Sequence, residues 1–215
     1  MQGRPEKGWV VLGLLLVFCL AAPLTACAAD GHEEASGRIT FLSDRDGNRE
    51  IYRLNVDGTG LTNLTNNRAL DSDPAWSPDG SRIAFVSKRD GNEAIYVMND
   101  DGTNVVNLTG NTATDTEPTW SPDGSEIAFT SDRQGNQDIH AMRADGEDLR
   151  NLTNTPNPDY FPAWSPDGSQ IAFVSIREGN QDVYLMNADG TAETRLTSHP
   201  AFDADPVWSP DGSRI

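Results

Sequence analysis

Four aspartates, Asp71, Asp115, Asp159 and Asp203, stand 44 residues apart, and four arginines, Arg45, Arg89, Arg133 and Arg177, repeat at the same interval. Carboxylates brought around one axis repel one another unless something neutralises them. A hard cation such as Ca²⁺ would suit such a ring, and so would a basic segment of a partner. The same residues have a structural use. Each Asp can cap its own turn or take a bidentate contact from an Arg of the adjoining loop. Repetition does not separate these readings, because a repeat copies structural residues as faithfully as binding ones.

Signatures of catalysis are absent from the sequence. Histidine occurs at positions 32, 140 and 199, and none recurs with metal-ligand spacing. No Gly-x-Ser-x-Gly elbow occurs. Asp44-Arg45-Asp46-Gly47-Asn48 superficially suggests a Ca²⁺ loop, but Lys88 removes the first carboxylate in the next copy, and Gln134 and Glu178 replace the second Asp in later ones. A hairpin explains that segment better than a loop lacking the distal Glu of a Ca²⁺ site. No catalytic residue and no metal ligand is assigned, and Ca²⁺ at the ring is the one cofactor considered. The Asn-Leu-Thr triplets at 63, 107 and 151 fit a strand and its end rather than glycosylation.

The elements that must position these residues are written four times. Trp76, Trp120, Trp164 and Trp208 each open Trp-Ser-Pro-Asp-Gly. Ile39, Phe41 and Gly47-Asn48 recur in phase, as do Asp57-Gly58 and Leu64-Thr65. Between residues 73 and 109 the pattern predicts four strands. A short strand a holds Ala75 and Trp76, b runs from Arg82 to Ser87, c from Ala94 to Met98, and d from about Asn104 to Leu108. Ser-Pro-Asp-Gly is a turn in which Pro fixes φ and Gly permits positive φ. Asp-Gly-Asn is a hairpin signal. Turns every eight to twelve residues mark an all-β chain, and four strands per 44 residues make the blade of a β-propeller. Alternating strand direction puts the a–b and c–d turns on one face. The b–c turns, with the arginines, and the d–a connections, with the aspartates, lie on the other. The tryptophans are expected in the core between blades.

The string Trp-Ser-Pro-Asp-Gly-Ser-x-Ile-Ala-Phe, then Ser-x-Arg-x-Gly-Asn, then Ile-Tyr-x-Met-Asn-x-Asp-Gly, resembles the WD-like Pro-Asp repeat of TolB-type β-propellers. The likeness covers residues 38–215. It implies four-stranded antiparallel blades around an axis, with four repeats present here. The ring is expected to be incomplete, because such propellers usually have six or more blades and Ser213-Arg214-Ile215 opens a strand that stops. The chain is thus read as a piece of a longer propeller. Two positions depart from the pattern. His140 stands where Tyr52, Tyr96 and Tyr184 stand, and Phe161 replaces the acids Asp73, Glu117 and Asp205.

Residues 1–26 have a different character. Arg4 and Lys7 precede an apolar run from Val10 to Ala22. The run is too short for the ~20 residues of a membrane span and has the layout of a secretory signal peptide. Leu24-Thr25-Ala26-Cys27 resembles a bacterial lipobox, which implies cleavage before Cys27 and acylation of it. Residues 27–37 read as a flexible tether. Cys19 lies in the leader, so no intrachain disulfide is expected after cleavage.

The chain carries 33 acidic and 16 basic residues, a net −17. Two of the basic and one of the acidic residues lie in the leader, so residues 27–215 carry −18. That charge excludes nucleic acid as a partner and an electrostatic grip on anionic lipid. The expected protein is an exported, lipid-anchored propeller on the periplasmic or surface side of a bacterial membrane. It binds another envelope protein or peptide and catalyses nothing. The alternatives are the propeller of a prolyl-oligopeptidase-like peptidase and an envelope propeller that binds or cleaves carbohydrate.

Overall fold

The computed structural model describes residues 37–215; the leader, nearly all of the tether, and Cys27 lie outside the described residues. Among these, fifteen strands form four antiparallel sheets, each built from strands consecutive in sequence. The first sheet holds β1 (Arg38–Ser43), β2 (Glu50–Asn55) and β3 (Thr62–Asn63). The second holds β4 (Asp71–Trp76), β5 (Arg82–Ser87), β6 (Ala94–Asn99) and β7 (Val106–Asn107). The third runs through β8 (Asp115–Trp120), β9 (Glu126–Ser131), β10 (Asp138–Arg143) and β11 (Arg150–Asn151). The fourth runs through β12 (Asp159–Trp164), β13 (Gln170–Ser175), β14 (Asp182–Asn187) and β15 (Thr194–Arg195). These are propeller blades. Each packs on its sequence neighbours, and among the described residues the first and last do not close a ring.

The middle strands show why this sequence stacks. Ile83, Ala84, Phe85 and Val86 of β5 are all essentially inaccessible, because both faces of a blade are covered. Side chains on a strand alternate in direction, and here each direction meets a different blade. Ile83 and Phe85 join Ile51, Leu64, Trp76, Tyr96 and Met98 in one core cluster. Ala84 and Val86 join Ile95, Val97, Trp120, Ile127, Phe129 and Met142 in the next. Large residues thus project toward the preceding blade and small ones receive the following blade.

The structure lengthens the innermost strand and shortens the outermost. Strand a is six residues, not the two of the Ala-Trp pair, and strand d is two residues. A bulge masks the length of strand a in the sequence: the β4–β5 register shifts between Ser72 and Ala75. The same shift occurs in β8 and β12. Asp73, Glu117 and Phe161 occupy the bulge with φ of 50°, 57° and 54°, and Asp205 at the equivalent repeat position has φ of 53°. A left-handed conformation disfavours an L-residue by about 1–2 kcal/mol, and bulges re-aim side chains. The hairpin glycines are constrained by their neighbours as well. A Cβ on Gly102 would lie 2.6 Å from the Leu64 carbonyl oxygen.

Candidate functional site

On the b–c face the repeated Arg builds the same clamp in each complete blade. Ser87 ends β5 and pairs with Asp71 at the start of β4. Arg89, two residues on, turns back so that its Nε donates to Ser87 Oγ at 2.8 Å and its Nη2 to Asp71 Oδ1 at 3.3 Å. Its guanidinium lies 5.2 Å from the Phe85 ring centre and 4.9 Å from that of Tyr96. Arg133 repeats this with Ser131 at 2.8 Å, Asp115 at 2.9 Å and Phe129 at 5.1 Å. Arg177 repeats it with Ser175 at 2.8 Å, Asp159 at 3.2 Å and Tyr184 at 4.7 Å. Guanidinium over an aromatic face adds attraction to the ion pair.

Asp71, Asp115 and Asp159 therefore do not stand before the innermost strand as open ligands. They are its first residues, with no solvent exposure. Each takes a second donor: Asn67 at 2.8 Å on Asp71, Asn111 at 3.0 Å on Asp115, and Thr155 at 3.3 Å on Asp159. Of the eight charged positions singled out by spacing, six meet as three ion pairs. Arg45 keeps the serine and aromatic contacts, Ser43 at 2.8 Å and Tyr52 at 4.5 Å. Neither it nor Asp203 forms an ion pair among the described residues.

The asparagines of the Gly-Asn hairpins hold the d–a connections against the same face. Asn92 Nδ2 donates to the Ala113 carbonyl at 2.6 Å, and Asn136 Nδ2 to that of Thr155 at 2.9 Å. His140 is a local fault in this framework. Tyr96 Oη donates to Asp90 at 2.5 Å. The imidazole at the equivalent place uses Nδ1 on the Asp138 carbonyl, while Nε2 is buried without a partner. Burial lowers the pKa of this imidazole.

The bulge gathers a different set of acids. Glu117 Oε2 accepts from Thr130 Oγ1 at 2.6 Å and from the Phe161 backbone N–H of the next blade at 2.9 Å. Glu117 is thus tied to its counterpart 44 residues on. The Asp73 carboxylate accepts from Ser72 Oγ at 3.1 Å. Desolvation first, with repulsion from Asp73 and Asp205, pushes the Glu117 pKa up. Desolvation also raises that of Asp73, although its side chain is exposed at the surface. Among the described residues no group of three His, Cys, Asp or Glu side chains is arranged to hold a metal. Acidic residues at 73, 117 and 205, each followed by Pro, were the available sequence signal for this inner row.

On the a–b face the Ser-Pro-Asp-Gly turns are self-contained. Asp123 Oδ1 accepts from Ser121 Oγ, Ser125 N and Ser125 Oγ at 2.6, 3.0 and 2.8 Å. These donors hold its carboxyl down at about 2. Successive turns stack, with Gly124 against Pro78, Gly168 against Pro122 and Gly212 against Pro166. The tryptophans lie between blades, where Trp120 Nε1 donates to the Ala75 carbonyl and Trp208 Nε1 to that of Ala163, both at 3.1 Å.

The repeat and its geometry have counterparts among known proteins. The family described as TolB beta propeller domain matches residues 27–109, 62–161 and 150–215. A protein named as a TolB homolog in Chlorobaculum tepidum is 48% identical over 44 residues, 20% of this chain and 10% of that protein. The match thus spans about a tenth of the relative's length. Among solved structures, a putative TolB from Agrobacterium tumefaciens is 30% identical with a TM-score of 0.70. The similarity covers 83% of this chain and 68% of that one. TolB from Acinetobacter baumannii is 28% identical with a TM-score of 0.72, over 81% of this chain and 44% of that one.

Proposed function

The chain belongs to the TolB beta propeller domain family, and from that premise we propose that it is an exported, non-catalytic module that binds a polypeptide partner in the bacterial cell envelope. The binding face is the one bearing the b–c hairpins and the d–a connections. Its centre is the inner row of acids, not the buried aspartates of the clamps. One observation carries this reading: Asp73 and Glu117 lie at equivalent bulge positions of adjacent innermost strands, and desolvation, with repulsion from Asp73 and Asp205, raises the Glu117 pKa. A cationic side chain from a partner would relieve that repulsion, and the −18 of residues 27–215 would speed its approach. Cys27 is the attachment point for acyl chains, which hold the module to the membrane; each buried CH₂ contributes about 0.8 kcal/mol.

The binding face is tested by the double variant Asp73→Asn, Glu117→Gln. A carboxyl whose folded pKa is raised adds stability below its unfolded pKa, and that stability is lost as pH rises through the folded value. The amides remove this loss, and the new amide oxygen at position 117 can still accept from the Thr130 and Phe161 donors. The variant is therefore expected to be at least as stable as the parent at pH 7, by thermal melting. Capture of the partner by cross-linking in intact envelopes is expected to fall at least tenfold. Undiminished capture would remove the inner acids from the binding face. For the anchor, radiolabelled palmitate is expected to enter the parent and not Cys27→Ser; equal labelling of both counts against acylation there.

A further inference from the structure

One buried titratable group takes no part in the proposed binding face. His140 of β10 lies, 1% exposed, in the joint between the second and third blades. Both blades at this joint are complete four-stranded sheets, and the first and fourth blades pack on their outer sides. His140 pairs across the sheet with Phe129, so the two rings project from the same face. That face meets the second blade, where Phe129 packs with Ala84, Val86, Ile95 and Val97. The four copies of this position share a stack and differ in its chemistry. The ring on the repeated Phe lies at 5.9 Å for Tyr52, 5.7 Å for Tyr96, 5.9 Å for His140 and 5.7 Å for Tyr184. The repeated arginine covers the phenols, at 4.5 Å on Tyr52, 4.9 Å on Tyr96 and 4.7 Å on Tyr184. Desolvation raises the pKa of all three phenols, so they stay neutral under their arginines. In the third copy the arginine meets a ring that can take a proton.

From this comparison we propose that His140 makes the joint acid-sensitive: a proton on Nε2 sets a second cation beside the Arg133 guanidinium and loosens the third blade from the second. The site for the proton is already shaped. His140 Nδ1 donates to the Asp138 carbonyl at 3.2 Å, which leaves Nε2 as a buried lone pair without a donor. The asparagine that serves the phenol in the second blade, Asn107 on Tyr96 at 3.0 Å, has a counterpart that is engaged elsewhere. Asn151 Nδ2 donates to Gln134 Oε1 at 2.6 Å and to Asp138 Oδ2 at 2.9 Å. The charges around the ring oppose one another. Arg133 on the b–c hairpin disfavours the imidazolium, whereas Asp138 on β10 and Asp115 on β8 favour it. Both carboxylates already accept from other groups, Asn136 and Asn151 on Asp138, Asn111 and Arg133 on Asp115. The second blade presents apolar side chains to this face. Desolvation is the largest influence, and the imidazole pKa lies below its ordinary 6.5. The unfolded chain therefore takes the proton first as pH falls. The stability of the joint is intact above about pH 6.5 and is lost as pH drops toward the folded value. Asp73 and Glu117, whose pKa values are raised, act with the opposite sign. Displacing Arg133 also disturbs its clamp on Asp115.

The test is amide hydrogen exchange of the intact chain at about pH 7 and about pH 5.5, expressed as protection factors. At the lower pH, protection in β6 and β10 is expected to fall roughly threefold or more relative to β13 and β14, where Tyr184 holds the position. His140→Tyr restores the phenol of the other copies, and His140→Gln supplies a side chain that does not titrate. Each is expected to abolish the acid-dependent difference, and the second keeps the proposal testable should the first misfold. In the parent, NMR titration of the His140 imidazole is expected to give a midpoint below the ordinary 6.5. Parent protection that is the same at both pH values, an equal acid loss in either folded variant, or an imidazole midpoint at or above the ordinary value would overturn it.

Discussion

Arg133→Met is expected to destabilise the protein by about 3–5 kcal/mol, the range for stranding one member of a buried ion pair. Asp115 has no solvent exposure, and the Arg133 Nη2 contact at 2.9 Å supplies its positive partner. Asn111 would remain as a neutral donor at 3.0 Å, which cannot replace a full charge in a low-dielectric site. The arginine also joins Ser131 to the Phe129 face, so its loss loosens the end of β9 as well. Against a typical total of about 5–15 kcal/mol, that is a large fraction. Asp115→Asn provides the internal control, because it removes the buried charge and keeps the shape. In Asp115→Asn, Arg133→Met together, the loss is expected to be smaller than the sum of the single losses by about 1–3 kcal/mol. Urea titration followed by tryptophan fluorescence measures all three. A loss under about 1 kcal/mol for Arg133→Met, the scale of an exposed pair, would show that Asp115 does not depend on its arginine.

The period of 44 revealed the blade, and the β-branched and aromatic run from Arg82 to Ser87 marked its second strand to the residue. It did not reveal what Asp71, Asp115 and Asp159 do. Spacing shows that residues are equivalent, not where their side chains end. That depends on pairing, Asp71 opposite Ser87, which brings Arg89 back over the carboxylate. The inner acids were harder to recognise for a related reason. Asp73 and Glu117 lie on an irregular strand whose bulge breaks the alternation a sequence reading relies on. Their common neighbour, Pro74 or Pro118, was the signal available in the sequence. Phe161 in the third copy obscured it, though its backbone N–H still serves Glu117.

Trp120→Ala is expected to act on the interface between blades more than on either blade. The indole packs with Ala84, Val86, Ile95 and Val97 on one side and Ile127, Phe129 and Met142 on the other. Its Nε1–H reaches the Ala75 carbonyl of the preceding innermost strand at 3.1 Å, and Arg82 covers its ring. Truncating a buried Trp to Ala removes about 3–5 kcal/mol, and here the vacated carbonyl loses its donor as well. In a stacked array, stability is a sum of unit terms and nearest-neighbour interface terms. A loss confined to one interface weakens coupling and leaves the units. Amide hydrogen exchange is therefore expected to accelerate in both blades flanking that interface, β4–β7 and β8–β11, with β12–β15 less affected. Urea unfolding of the variant is expected to broaden or split. Trp208→Ala, at a partly exposed indole, is expected to lose less than half as much. A single sharp transition with uniform loss of protection across all blades would show that the array unfolds as one unit and that Trp120 is an ordinary core residue.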